Sequence, residues 1–197
     1  MLSIKKFLLL AVMGIAAVVV VAVPASGSGE EGEWLHEGEA IGSHHTFKLT
    51  RNLQFKVLGE TITCEYHPTL TVLENGKSEF TGLGITTNTC KGTGVFEGCV
   101  MEKDSATDLG WPVTLDKALK IFTLHDFTLH TQFKCPKIGE QELFFEFETV
   151  TGTPDDPEAI NEFSISGVGT VNGGATSVQI SGELEITEGD AGTYGIG

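Results

Sequence analysis

The fold is decided by a stretch of nine residues, 127–135, with the sequence FTLHTQFKC. Phe, Leu, Thr, Phe and Cys stand at every second position, and polar side chains fill the positions between them. An alternation of period two is typical of a β-strand that has one buried and one exposed face. Shorter runs of the same kind surround Phe55 and Phe145, so the strand pattern extends over much of the chain.

The fold class follows from the repetition of this pattern. From Trp34 onward, the chain does not sustain an apolar period of 3.6 residues over three helical turns. Short apolar runs are separated by Gly, Pro and Asn-Gly, which favour turns. We therefore predict an all-β protein, either an antiparallel β-sandwich or a closed β-barrel of about ten or more short strands. The sequence leaves the choice between these two architectures open.

Two Asn-Gly pairs predict hairpin turns, at residues 75–76 and 172–173. Both residue types tolerate the positive φ angles of a type I′ turn. A two-residue loop at the second pair would set Ile165 opposite Ile180 and Gly167 opposite Val178. The apolar face of this hairpin then consists of Phe163, Ile165, Val178, Ile180, Leu184 and Ile186.

The first 25 residues have the layout of a secretory signal. Lys5 and Lys6 precede an apolar core, Phe7–Val23, and Pro24-Ala25 completes a small-residue cleavage site. We predict cleavage between Ala25 and Ser26 and a secreted, extracellular protein. The alternative is an uncleaved anchor, but the apolar core is shorter than the ~20 residues that a membrane-spanning helix needs.

The remaining chain divides into three parts. Residues 26–33 are rich in Gly, Ser and Glu and predict a disordered lead-in. Residues 34–188 form a single β-rich domain, since their length is usual for one domain. Residues 189–197 are expected to be a frayed tail.

The charge balance excludes one class of partner. The whole chain carries a formal net charge of −15, and removal of Lys5 and Lys6 would leave 10 basic against 27 acidic residues, or −17. Such a charge repels phosphate backbones, so no binding of nucleic acid is expected. Binding of a cation or a basic partner would fit the charge, and so would plain solubility outside the cell.

The four cysteines predict two disulfides, because an exported chain meets an oxidising environment. Zinc is disfavoured, since the cysteines lack paired Cys-x2-4-Cys spacing. Of the three possible connectivities we favour Cys90–Cys99 and Cys64–Cys135. Cys90 and Cys99 flank a glycine-containing loop that can bring its ends together, and Cys64 and Cys135 each end an alternating run.

A set of landmarks carries a family resemblance over roughly residues 34–135. In chain order they are Trp34, Gly38, Ile41-Gly42, Thr63-Cys64, Cys90, Cys99, the Gly-Trp-Pro-Val-Thr-Leu stretch at 110–115, and Phe133-Lys134-Cys135. This order resembles a group of exported four-cysteine, β-rich proteins of soil actinobacteria. The resemblance implies a bacterial, β-rich, exported protein, and the group has no known activity that could be carried over.

Candidate metal ligands are few. His44 and His45 are adjacent, and His125 and His130 are five apart, so a regular strand would point the members of each pair to opposite faces. Asp155, Asp156 and Glu158 could supply oxygen ligands to Ca²⁺, although they lack the alternating spacing of a dedicated loop. An acidic, solvated turn is the simpler interpretation, and the sequence predicts no cofactor.

Three aromatic residues, Trp34, Tyr66 and Trp111, are candidates for a platform on which a sugar ring or an apolar ligand could stack. The competing interpretation is that they fill the core, as large aromatic residues commonly do.

Two function classes remain. The first is a non-catalytic extracellular, envelope or surface-binding protein, with a cell-wall polymer as a possible partner and no membrane-embedded mature form. The second is a secreted, glycosidase-like hydrolase that uses loop carboxylates. The chain shows no Gly-x-Ser-x-Gly, no His-Glu-x-x-His and no phosphate-binding glycine loop, so we predict no catalytic residue and favour the first class.

Overall fold

The computed structural model describes residues 31–42, 44–73, 77–86, 90–105, 110–156, 158–189 and 193–197. Strands and one 3-10 helix, Gly94–Phe96, form the regular structure of these ranges, so the all-β prediction is confirmed. The strands are β1 (Trp34–His36), β2 (Glu39–Ala40), β3 (His45–Val57), β4 (Glu60–Val72), β5 (Ser78–Ile85), β6 (Lys91–Gly92), β7 (Val100–Ser105), β8 (Trp111–Asp116), β9 (Ile121–Cys135), β10 (Gly139–Pro154), β11 (Glu162–Val171), β12 (Thr176–Glu188) and β13 (Tyr194–Ile196).

The main sheet closes on itself. The order β3-β4-β5-β8-β9-β10-β11-β12 returns to β3, because β10 pairs with both β9 and β11 and β12 pairs with β3. All the pairings are antiparallel. A sheet with one apolar face can bury that face by closing, and closure also removes unpaired edges. Of the two predicted architectures, the pairing corresponds to the barrel.

The interior of the barrel is filled by side chains. In β9, Phe127, Leu129, Thr131, Phe133 and Cys135 are all buried, so the alternation that predicts this strand is confirmed. A cavity of about 30 Å³ lies among the described barrel residues and is lined by apolar side chains. That is about the share of volume one water molecule takes in the liquid, so the interior is a packed core.

A separate three-stranded sheet covers one end of the barrel. It is formed by β2, β1 and β13, and Trp34 in β1 packs against Phe47 and Phe163 at the ends of barrel strands. The indole Nε1 of Trp34 donates a hydrogen bond to the Ser78 hydroxyl, at 3.0 Å. The barrel end is thereby closed by aromatic packing and one buried hydrogen bond.

This covering sheet corrects the predicted ends of the domain. Residues 193–197 do not fray, because Tyr194–Ile196 pairs with β1 and the side chains of Tyr194 and Ile196 are buried. Order also begins before Trp34, since Gly32 N donates to the Leu115 carbonyl. The apolar Tyr and Ile in a short, glycine-rich tail were the signal that this prediction overlooked. The proposed cleavage site and residues 26–30 lie outside the described residues.

The cysteine pairing differs from the prediction. Cys64 bonds to Cys90 and Cys99 to Cys135, so the predicted pairs Cys90–Cys99 and Cys64–Cys135 are wrong. The reason is strand pairing. The strand β6 that follows Cys90 pairs with β4, and β7, which follows Cys99, pairs with β9. Each disulfide therefore joins a short strand to the long neighbour on which it lies.

Residues 90–105 and these two disulfides form what we call the seam. The pairing of β5 with β4 covers only the second half of β4. The pairing of β8 with β9 covers only the start of β9. Alongside the other halves of β4 and β9 lie β6, the 3-10 helix and β7, with Phe96 buried between them. The seam thus fills a part of the barrel wall in which β4 and β9 each have a long partner on one side only, β3 and β10 respectively.

The last hairpin keeps its predicted face but not its register. Asn172 and Gly173 have positive φ angles, as predicted, but Ile165 lies opposite Gly182 and Ile180 opposite Gly167, a shift of two residues. This register sets each isoleucine against a glycine, which saves space inside a closed barrel. The turn predicted at residues 75–76 lies outside the described residues. In the ranges that the structure describes, no helix is long and apolar enough to cross a membrane.

Candidate functional site

A groove of about 460 Å³ lies on the outer surface of the barrel and crosses β11, β12, β3 and β4. Neighbouring strands lie ~4.8 Å apart, so a groove over four strands is about 14 Å across. Its volume falls within the ~300–1,000 Å³ of small-molecule sites. Short or amide side chains and one glycine line its central part: Asn52, Gln54, Thr63, Ser164, Ser181 and Gly182.

The groove exists because the outward side chains are short and Gly182 has none. A Cβ at Gly182 would lie 2.6 Å from the Asn52 carbonyl oxygen, so this close approach of β12 to β3 requires glycine. Gly182 pairs with Leu53, but the next pair of the ladder is Glu185 with Thr50. The strands are therefore unpaired over the two residues between, where the groove has its charged end.

That charged end is built around Arg51. The guanidinium contacts three carboxylates, with Nε 3.1 Å from Glu185 Oε2, a terminal nitrogen 2.9 Å from Glu183 Oε2 and the other 3.3 Å from Glu162 Oε2. Arg51 and Glu183 also line the groove. One positive charge faces three negative ones, so this end of the groove carries an excess of negative charge.

The ionisation of this cluster is perturbed in two places. The hydrogen bond from Arg51 to Glu185, together with the charge of Glu162, raises the pKa of the guanidinium above its usual value. The pKa of Glu162 is also raised, first because its surroundings displace water and then because it hydrogen-bonds to Glu183. Arg51 opposes this second shift but does not cancel it.

The central part of the groove can exchange hydrogen bonds in both directions. Each serine or threonine hydroxyl donates one hydrogen bond and accepts others, and the amides of Asn52 and Gln54 do the same. Ser164, Ser181, Asn52 and Gln54 are all exposed at the surface. Such a lining matches a ligand that also carries many groups able both to donate and to accept, of which sugar hydroxyls are the commonest.

The four histidines considered as metal ligands do not gather into one site. His44 is exposed at the turn before β3, whereas His45 packs against Phe47. An irregularity at Asp126 turns both His125 and His130 outward, but they are five residues apart, or about 16 Å along a strand. Among the described residues, no three His, Cys, Asp or Glu side chains are placed to hold a metal ion.

His130 lies in a small surface cluster of its own. Its ring stacks on Phe144 at 3.9 Å with an interplanar angle of 9°, and its Nε2 lies 2.8 Å from Glu142 Oε1. His67 is held in a similar way on β4, since its two ring nitrogens bond to the hydroxyls of Thr50 and Thr86. Both histidines therefore have structural partners on the outer face.

The three candidate platform residues are all inside the molecule. The Trp34 side chain lies between the covering sheet and the barrel. Tyr66 packs against Phe55, and Trp111 packs edge-on against Phe127. Each is at most 3% exposed. They do not form an exposed surface on which a sugar could stack. All three side chains fill the core.

Two of the three carboxylates proposed for calcium accept hydrogen bonds from backbone N–H groups of their own loop. Asp155 Oδ1 accepts a hydrogen bond from Glu162 N, and Asp156 Oδ1 accepts one from Glu158 N. All three acidic residues are exposed. Asp156 closes the turn in the way that aspartates commonly do, by bonding a backbone N–H two residues on. Asp155 instead joins the two ends of the loop, since Glu162 lies seven residues on.

The groove is not evident in the sequence, because its residues come from four strands and lie far apart in the chain. The available signal was the outward face, where Asn52, Gln54, Ser164 and Ser181 occupy the polar positions of alternating runs. Arg51 was the stronger signal, since it stands where the alternation of β3 calls for an apolar residue between Leu49 and Leu53.

No protein-family model, no curated protein and no solved structure matches this chain.

Proposed function

We propose that this protein is exported and acts outside the cytoplasm as a non-catalytic binding domain, whose outer groove holds a hydroxyl-rich polymer such as a cell-wall polysaccharide. The groove over β11, β12, β3 and β4 is the single observation that carries the proposal.

Export is supported by the disulfides and by the first 25 residues. Two disulfides account for all four cysteines, and such bonds persist in oxidising compartments. Lys5, Lys6 and the apolar run after them have the layout of a cleaved signal. The resemblance to exported four-cysteine proteins of soil actinobacteria belongs to the same proposal.

Binding of a polymer is supported by the shape of the groove. Sites for small molecules are usually enclosed and mostly apolar, whereas this groove is open and five of its nine lining residues carry a hydroxyl or an amide group. An open groove about 14 Å across suits a polysaccharide that lies over the barrel wall, since the polysaccharide gains contacts from several sugar units. The filled barrel interior supports the same assignment, because the 30 Å³ cavity has no room for a ligand.

A hydrolase is the competing function, and Glu162 with Glu183 is the pair of carboxyl groups that would serve it. The two carboxyl groups of a glycosidase stand ~5–9.5 Å apart with the substrate between them. Glu162 and Glu183 hydrogen-bond to each other and both contact Arg51, so no glycosidic bond fits between them. The geometry therefore favours binding over hydrolysis.

The test is retention on insoluble polymers. Protein purified from the medium of cells that express the full chain is mixed with chitin, cellulose or isolated bacterial cell wall, and its loss from solution is measured after pelleting. We expect retention on at least one polymer, and Ser181→Trp should abolish it because the indole fills the groove. Ser177→Trp is the matched control, since Ser177 is equally exposed on β12 but lies outside the groove.

Three results would contradict the proposal. The first is that no polymer retains the protein, and the second is that Ser181→Trp and Ser177→Trp bind equally well. The third is release of soluble sugar in the same tubes, which would favour the hydrolase. N-terminal sequencing of the secreted material checks the export step separately, with Ser26 as the expected first residue.

A further inference from the structure

The charged end of the groove allows the ligand to be specified further. Glu183 belongs both to the groove lining and to the carboxylates around Arg51. Side chains of Arg51, Glu162, Glu183 and Glu185 are 39%, 26%, 55% and 46% exposed, so a ligand can reach them from solvent. A ligand lying over Ser181 and Gly182 would therefore have its next unit beside these carboxylates.

The charge at this end is not balanced. One guanidinium contacts three carboxylates, and the whole chain carries a formal net charge of −15. An anionic sugar, such as a uronic acid or a sugar phosphate, would be repelled there. The neighbouring carboxylates are close enough to repel each other and to perturb each other's ionisation. A cationic group of the ligand would relieve this repulsion.

We infer that the groove takes a saccharide chain with free amino groups, whose ammonium lies beside Glu183 while the sugar hydroxyls bond to the groove lining. This inference rests on the proposed function, because it identifies the ligand class of the same groove. A cationic peptide is the other ligand that would fit the charge. Extended peptides usually bind by adding a strand to a sheet edge, whereas each strand under the groove already has a neighbouring strand on both sides.

The protonation of Glu162 gives the inference a pH dependence. The groups around Glu162 are Arg51, Glu183, Glu185 on the paired strand, and Asp155 at the turn before β11. Because its pKa is raised, Glu162 takes up a proton earlier than an ordinary glutamate as the pH falls. The end of the groove then loses one negative charge, so affinity for an ammonium should fall on acidification.

The experiment compares two sugars that differ in charge. Calorimetry on the full exported protein uses glucosamine oligomers and N-acetylglucosamine oligomers of equal length, at a pH where the amine is protonated. An exposed ion pair is usually modest, so we expect the amine-bearing oligomer to bind about two- to fivefold more tightly. Glu183→Gln should remove this preference, so that the two oligomers bind to the variant equally well.

Glu148→Gln is the matched control, because it removes one negative charge from an exposed position on β10, away from the groove. It should preserve the preference. Added salt should weaken the preference of the unchanged protein toward the equal binding expected of Glu183→Gln, because the preference comes from the charge of Glu183.

Several outcomes would overturn the inference. Equal affinity for the two oligomers would overturn the inference and leave the proposed function standing, and so would failure of both to bind while Ser181-dependent retention on another polymer persists. Failure of both oligomers together with no polymer retention would count against both proposals. Tighter binding of a lysine oligomer that Glu183→Gln abolishes would indicate a peptide ligand and overturn the saccharide assignment.

Discussion

The seam and the neighbouring run of strands from β9 to β12 close the same sheet in different ways. Along β9–β12, which we call the continuous wall, β9 and β10 pair from Cys135 with Gly139 to Phe122 with Gly152. In the seam, β6 makes only two residue pairs with β4, and a 3-10 helix links it to β7. Both disulfides lie in the seam. One disulfide thus reinforces the two-residue ladder of β6 and β4, and the other ties β7 to β9, which share five residue pairs.

The largest expected effect is loss of both disulfides. They close loops of 26 and 36 residues, and on the chain-entropy model they stabilise the fold by about 3.5 and about 4 kcal/mol. Replacing all four cysteines by serine should therefore prevent folding or leave the fold barely stable. Replacing one disulfide-bonded pair should lower the free energy of unfolding by the contribution of that disulfide. Urea denaturation measures the loss. A four-serine variant as stable as the parent would show that the seam closes without its disulfides.

A second pair of variants compares packing in the two regions. Phe145 in the continuous wall is 1% exposed and packs face to face on Phe55, so Phe145→Ala should cost about 3–5 kcal/mol. Phe96 in the seam is 8% exposed, and the short segment around it can collapse into the space, so Phe96→Ala should cost about 2–3 kcal/mol.

Denaturation of the two single variants under identical conditions decides the order. A larger loss for Phe96→Ala would mean that the seam is packed as rigidly as the wall.

A third prediction concerns the backbone of the seam. A Cβ on Gly92 would lie 2.2 Å from the Phe96 carbonyl oxygen, which is a backbone atom that cannot move aside cheaply. Gly92→Ala should therefore destabilise the protein by about 1–3 kcal/mol. Gly42→Ala is the control, since a Cβ there meets nothing within 4 Å. Equal thermal midpoints for the two variants would contradict the tight approach.

The smallest expected effect is electrostatic and belongs to Glu162 in the continuous wall. Its pKa is raised in the folded state, so the native protein binds this proton more readily than the unfolded chain does. The contribution to stability is greatest below the ordinary value of 4.5 and declines as the pH rises through the raised pKa. Glu162→Gln should flatten this dependence and keep stability at neutral pH.

Urea denaturation at a series of pH values tests this pH dependence, with Glu148→Gln as the control for the loss of one charge. A steep fall in the neutral stability of Glu162→Gln would show that its ion pair with Arg51 outweighs the raised pKa.

The fold class was predictable because alternation is local. Each inward face of β9 and of the last hairpin can be identified from neighbouring residues, and the structure confirms those faces. Register was less predictable. A shift of two residues keeps every side chain on its face, so the choice between Ile180 and Gly182 as the partner of Ile165 depends on space inside the closed barrel.

The site and the cysteine pairing depend on contacts between distant parts of the chain. Glycine in the 90–99 loop favoured a local disulfide, but pairing of β6 with β4 and of β7 with β9 decided the connectivity. The groove similarly joins Asn52 and Ser181, and neither residue marks a site by itself. The candidate platform and calcium residues were chosen by chemical type, which does not show whether a side chain is buried.

The position of the groove also affects the order of folding. β3-β4 and β9 through β12 can form by pairing strands that follow one another, whereas β12 must find β3 across a long stretch of chain. Arg51 and Glu185, for example, are 134 residues apart. Contacts at such separation form slowly, because a long loop must be closed before they can stabilise anything. Since the groove spans this junction, binding to it becomes possible only when the ladder between β12 and β3 has formed, and ligand binding in a refolding experiment would time the closure of the barrel.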